Sequence, residues 1–114
     1  MENSKLTITP LPAGTDTASV LKISGPMLLS NLFDFQPAVR AEVAPLIVLD
    51  LTDVPYMDSA ALGSLVHAEV SSTHRGRRLV LAGVNERVAT LLRVTNVDRA
   101  FTIYPTVAQA LASS

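Results

Sequence analysis

At 114 residues the chain suits one hydrophobic core and is short for two. Its 48% hydrophobic content argues against disorder and suggests apolar surface for a partner to cover. A formal net charge of −1 removes any global attraction to nucleic acid or anionic lipid, and the absence of cysteine excludes disulfides, thiolate zinc sites and cysteine nucleophiles.

Lys5 to Thr9 alternates, with Leu6 and Ile8 on one face, and predicts a strand ended by Pro10. Leu11 to Thr17 carries Pro, Gly and Asp and predicts a turn. Ser19 to Ser24 alternates again, is stopped by Gly25-Pro26, and should pair with the first strand as a hairpin. In the next stretch, Met27 to Ala44, Pro37 is tolerable only in a first helical turn. Asp34 as N-cap meets that condition and turns Phe35, Ala38, Val39 and Val43 toward a core; a kinked start at Asn31 is the alternative. Leu46 to Leu51 is a near-continuous apolar run, the pattern of a parallel strand buried on both faces. A helix follows over Asp58 to Thr73, with Leu62, Leu65, Val66 and Val70 as its apolar stripe. Arg77 to Ala82 predicts a strand closed by Gly83. Asn85 is placed to cap a helix reaching about Val94, with Val88, Leu91 and Leu92 inward. Phe101 to Tyr104 predicts an edge strand, and Pro105 to Ala112 a last helix opened by proline.

The order is therefore β-β-α-β-α-β-α-β-α. Strands alternating with helices after a hairpin demand crossovers and a mixed, mostly parallel sheet, an α/β fold in one domain over residues 1–114 with helices on one main face. No apolar run approaches the roughly 18–20 residues that span a bilayer. Met1 to Lys5 lacks the basic stretch and apolar run of a signal peptide. The expected setting is cytoplasmic, without membrane insertion.

The most informative stretch is Leu49 to Gly63, a buried strand, a short loop, then Asp58-Ser59 at the opening of a helix. A serine there can cap the helix, and a phosphate on it would sit in the field of the helix dipole. On its own, a serine at a helix start is far more often a cap than a phosphorylation site.

The pattern D-S-x-x-L-G after a buried strand resembles the signature of the STAS family, best known for anti-sigma factor antagonists. The match extends through Asp53, Met57-Asp58-Ser59, Leu62-Gly63 and the unit Arg77 to Gly83 with Asn85, Val88, Leu91 and Leu92. The resemblance implies that Ser59 is the residue a partner kinase phosphorylates. It also implies that Asp58, Tyr56, Met57, Ala60, Ala61 and Leu62 surround the contact with that partner. Read from the residues alone, Asp58 is equally a capping carboxylate, Leu62 is a core residue of the helix stripe, and Tyr56 and Met57 belong to an exposed loop. The partner would be an anti-sigma factor with serine kinase activity, supplying its own ATP and magnesium, so the chain itself needs no cofactor. The chain would hold the partner when Ser59 is free and release it when phosphorylated. Two departures stand out: Ala61 where the family often has glycine, and Gly25 to Asn31, which looks more like STAS domains attached to anion transporters. Alternative roles are a STAS subunit of a membrane transport complex or a scaffold in a larger STAS assembly. Self-association is left open.

Other features have ordinary explanations. Met27, Leu28, Leu29 and Phe33 form an apolar connection, expected to be partly buried, that either covers the sheet edge or adds a second contact patch. His74-Arg75-Gly76-Arg77-Arg78 is a solvated basic turn with no interleaved aromatics for base stacking. His67 and His74 lack metal spacing. His67 lies roughly 12 Å along the helix from Ser59, too far to serve as its base. With no G-x-S-x-G, Walker A or G-x-G-x-x-G motif, the chain is not expected to be an enzyme. Thr52 and Ser64 are the other hydroxyls near the site.

Overall fold

A computed structural model describes residues 5–113. Met1 to Ser4, the first residues of the stretch read against a signal peptide, lie outside them. Within the described residues five strands form one sheet in the order β1 (Thr7–Leu11), β2 (Ala18–Ser24), β3 (Leu46–Asp53), β4 (Arg78–Ala82) and β5 (Ile103–Tyr104). β1 and β2 are the antiparallel hairpin; every later pairing is parallel. The intervening helices are α1 (Phe35–Ala41), α2 (Ser59–His74), α3 (Glu86–Val94) and α4 (Val107–Leu111). The architecture is the one expected from the alternation of patterns.

The apolar run of β3 is explained by its position. It lies at the centre with a parallel neighbour on each side, and Leu46 to Leu51 are all buried. Ile47, Leu49 and Leu51 join Leu21, Ile23, Leu79 and Leu81 in a core closed by Phe35 and Val39 of α1, Leu62 and Leu65 of α2, and Val88 and Leu92 of α3. Leu46 and Val48 face the other way, with Val20, Val80 and Ala82, against Ala110 of α4. Helices therefore lie on both faces. Three cover the main one, and only the short α4 covers part of the second.

Several expectations needed long-range information. Pro10 does not end β1 but sits inside it, opposite Leu21; an edge strand tolerates a proline because one side of its backbone has no ladder to feed. Val43 is exposed, since α1 stops at Ala41 and Glu42 is extended. Val70 is likewise exposed, and α2 instead buries Ala61, Leu62, Leu65, Ala68 and Ser72. α4 opens on Thr106, whose side chain accepts the Gln109 N–H, one residue after the proline expected to open it. The predicted fifth strand shrinks to two residues, after a 3-10 turn at Asp98–Ala100.

Candidate functional site

β3 delivers the chain to the carboxyl edge of the sheet, where Val54 is wholly buried and Pro55 begins a loop into α2. Asn85 secures that loop. Its amide nitrogen donates to the carbonyls of Val54 and Pro55, both at 3.2 Å, while its Oδ1 caps α3 by accepting the Val88 N–H at 2.8 Å. Sequence reasoning found the cap and missed the tether, because the carbonyls lie some thirty positions away.

A second segment is laid along the same loop. The Gly25 N–H donates to the Asp53 carbonyl, the Met27 N–H to the Tyr56 carbonyl, and the Asp58 N–H back to the Met27 carbonyl. Met27 and Met57 thereby form a parallel bridge outside the main strands. Asn31 folds its own segment over, accepting the Leu28 N–H and donating to the Pro26 carbonyl.

Asp58 is the joint between these pieces. It is the N-cap of α2, with Oδ1 accepting the Ala61 N–H at 2.9 Å, and its Oδ2 accepts the Leu29 N–H at 3.0 Å. The Leu29 bond first, then the Ala61 bond, stabilises the charged form and holds this carboxyl below the usual 3.8. A carboxyl whose folded value is depressed contributes stability that is fully present above its unfolded value and is lost as pH falls through the folded one. Asp58→Ala should therefore lower stability by about 1–2 kcal/mol at neutral pH through the lost cap. Denaturant unfolding of both proteins from pH 7 down to pH 2 should show the gap narrowing below about pH 4. A gap that stays constant with pH would separate Asp58 from the acid sensitivity of the fold.

Ser59 is the first residue of α2, one position past the cap, and is exposed. The capping role open to Ser59 belongs to Asp58 instead. The two neighbouring hydroxyls are engaged: Thr52 Oγ1 donates to Asp50 Oδ1 at 2.6 Å, and Ser64 Oγ accepts from the Gln36 amide at 2.9 Å.

The residues expected around a contact divide by burial. Tyr56 is exposed and Asp58 and Ala60 are half-buried. Met57, Ala61 and Leu62 are core residues, at 7%, 0% and 7% exposure, and offer a partner almost no surface. Burial of Met57 follows from its bridge to Met27, and that of Ala61 and Leu62 from their side of α2 packing on the sheet. Ala61 in place of glycine thus points into the protein. In exchange, the apolar connection is more open than expected: Met27 is fully buried, but Leu29 is 73% and Phe33 87% exposed. Their exposure is the feature the sequence did not disclose, since an apolar run normally signals burial.

The remaining candidates lie elsewhere. His67 is exposed on α2, and among the described residues no group of His, Cys, Asp or Glu is arranged to hold a metal. The basic turn lies at the far end of α2, about 24 Å from Ser59 for a 16-residue helix. There Arg75 and Arg77 donate to the carbonyls of Arg40 and Arg75. No described helix is long and apolar enough to cross a membrane.

The family model of the STAS domain matches residues 10–110. A Thermotoga neapolitana protein, named as a candidate anti-sigma factor antagonist, is 42% identical over 65 residues, which is 57% of this chain and 58% of that protein. The chain thus matches little more than half the length of this curated relative. The crystal structure of an anti-sigma factor antagonist from Mycobacterium paratuberculosis superposes with a TM-score of 0.81 at 22% identity, covering 95% of this chain and 92% of that one. The Bacillus cell fate determinant SpoIIAA in its phosphorylated form superposes with a TM-score of 0.68 at 12% identity, covering 94% and 98%. These two likenesses show a shared fold.

Proposed function

We propose, from the premise that this chain belongs to the STAS domain family, that it acts as an anti-sigma factor antagonist switched by phosphate on Ser59. Unmodified, it captures an anti-sigma factor and so frees a sigma factor. Phosphorylated by that partner's serine kinase activity, with the partner's ATP and magnesium, it lets go. It performs no catalysis of its own. The names of the Thermotoga and Mycobacterium relatives support the role, and the solved phosphorylated form of SpoIIAA supports a phosphate-bearing state of this fold.

One observation carries the assignment to Ser59. Of the three hydroxyls around the loop, Thr52 and Ser64 are engaged in hydrogen bonds, whereas Ser59 is exposed at the first position of α2, just after a loop pinned by Asn85, Met27 and Asp58. Tyr56 on the loop and Leu29, whose N–H is tied to Asp58, supply a surface for a protein partner, and the exposed Phe33 follows four residues after Leu29. A phosphate adds about −1.5 to −2 at neutral pH. The Ala61 N–H, which would otherwise receive it, is already taken by Asp58. The new charge therefore stands beside an existing carboxylate rather than being absorbed by the helix. That repulsion acts on the partner and also on the Asp58–Leu29 bond that positions the apolar segment.

Affinity capture from the native host, with wild type, Ser59→Ala and Ser59→Glu as baits and mass spectrometry as readout, tests the reading. A kinase-like anti-sigma factor retained by the first two and lost from the third is the expected result. Transport subunits held equally by all three would replace this function with a transport role. The apolar segment gives an independent check. Phe33→Ser should change stability by no more than about 0.5 kcal/mol, because the ring is exposed. It should weaken the captured partner about tenfold in calorimetric titration; unchanged affinity would remove Phe33 from the interface.

A further inference from the structure

A cavity of about 300 Å³ lies between the switch loop and α3. Met57, Val88, Leu91 and Val94 make its apolar lining, and Val94 is 70% exposed, so the apolar wall extends outward. Its one charged wall is Arg87, whose guanidinium carbon stands 4.9 Å from the centroid of the Tyr56 ring. The ring face restrains that cation at the mouth without neutralising it. The adjacent acid, Glu86, is directed to Arg93 at 3.7 Å, and the other described ion pair is Lys22 with Asp53. Among the described residues, then, no carboxylate answers Arg87. Thr90 is the remaining polar residue in the lining, and its hydroxyl accepts from Arg93.

We propose that this cavity binds a short aliphatic carboxylate, with its chain against Met57, Val88, Leu91 and Val94 and its carboxylate on Arg87. The lining has one cation and no anion, which selects an anionic ligand. A planar guanidinium fork matches a carboxylate in two parallel hydrogen bonds. A phosphate dianion would need more donors than one arginine, and the Val88 N–H in the first turn of α3 is already given to the Asn85 cap. The volume is at the small end of the roughly 300–1,000 Å³ typical of ligand sites, which suits a chain of about eight carbons. The site stands apart from the phosphate switch and does not depend on it, although both share the loop residues Tyr56 and Met57.

The test is a titration of the isotope-labelled full chain, followed by amide chemical shifts, with sodium octanoate, 1-octanol and inorganic phosphate as probes. Octanoate below its micelle concentration should produce saturating shifts at Tyr56, Met57 and residues 87–94. Octanol should shift the same amides with affinity weaker by about tenfold, the contribution of one charge-assisted pair. Phosphate should not shift them. Arg87→Gln should weaken octanoate about tenfold while leaving octanol unchanged. Val94→Asp, at an exposed position that folding does not need, should abolish octanoate binding. Shifts that fail to saturate, equal affinity for octanol and octanoate, shifts of the same amides by phosphate, or indifference of octanoate to Arg87→Gln would each overturn the proposal.

Discussion

Ser59→Glu is expected to weaken binding of the partner about a hundredfold, while Ser59→Ala is expected to bind like the parent chain. The reason lies in the order of two residues. Asp58 already places a carboxylate at the opening of α2 and uses both of its oxygens on backbone N–H groups, those of Ala61 and Leu29. A second negative group one residue later cannot share the Ala61 N–H without displacing the first. It meets the partner as an added anion beside Asp58, next to the exposed Tyr56 of the loop and the exposed Leu29 whose N–H Asp58 holds. Covering that added anion against a partner with no cation to pair it costs several kcal/mol, and a full phosphate exceeds the single charge of glutamate. Because Asp58 is the cap, Ser59→Ala should leave the melting temperature close to the parent value, which lets binding be compared without a stability difference. Calorimetric titration of purified partner against the three proteins, with thermal melts alongside, is the measurement. Affinity of Ser59→Glu within about threefold of wild type would end the case for electrostatic release, since threefold is well below the effect of one repelled charge.

Gly83→Ala is expected to be strongly destabilising, at about 3 kcal/mol or more, lowering the melting temperature by roughly 10–20 °C. Gly83 ends β4 with φ +74, and its N–H donates to the Tyr104 carbonyl at 3.0 Å. An added Cβ carries the cost of that backbone region, about 1–2 kcal/mol for an L residue. It also runs into Thr52 Oγ1 and lies 3.3 Å from both the Cβ and the backbone nitrogen of Thr52. Thr52 has little room to yield, because it is held in β3 and its hydroxyl is bonded to Asp50. Gly76 provides the comparison: it has φ +76 but nothing within 4 Å of an added Cβ. Gly76→Ala should show the backbone cost alone. Denaturant unfolding of both variants separates the two contributions, and Thr52→Ala in the Gly83→Ala background should recover part of the loss. Equal destabilisation by the two glycine changes would mean that the Thr52 contact is relieved at no cost.

Much of the fold was legible because local patterns report on local partners. The period-two and period-3.6 runs located each strand and regular helix to within a few residues. The continuous apolar run of β3 announced its central place, and Asn85 announced a cap that the structure bears out. At the opening of α2 both Asp58 and Ser59 suited a cap and the structure takes Asp58, while the last helix, expected to open at Pro105, is capped one residue later by Thr106. Two adjacent residues can both suit a helix start, and φ and ψ choose between them.

What the sequence by itself determined was the alternation of elements, the sides of the strands that are apolar, and the D-S motif at the opening of α2. Those depend on contacts a few residues apart, which composition and spacing encode directly. The tertiary structure alone decided what surrounds that motif. Docking of the Gly25–Asn31 segment along the loop buried Met57, gave the second oxygen of Asp58 a partner, and left Leu29 and Phe33 outside. Packing of α3 beside the loop brought Arg87 over Tyr56 and made the cavity between them. Exposure is a property of which surfaces meet, and residues thirty positions apart carry no mark of that meeting in their order along the chain.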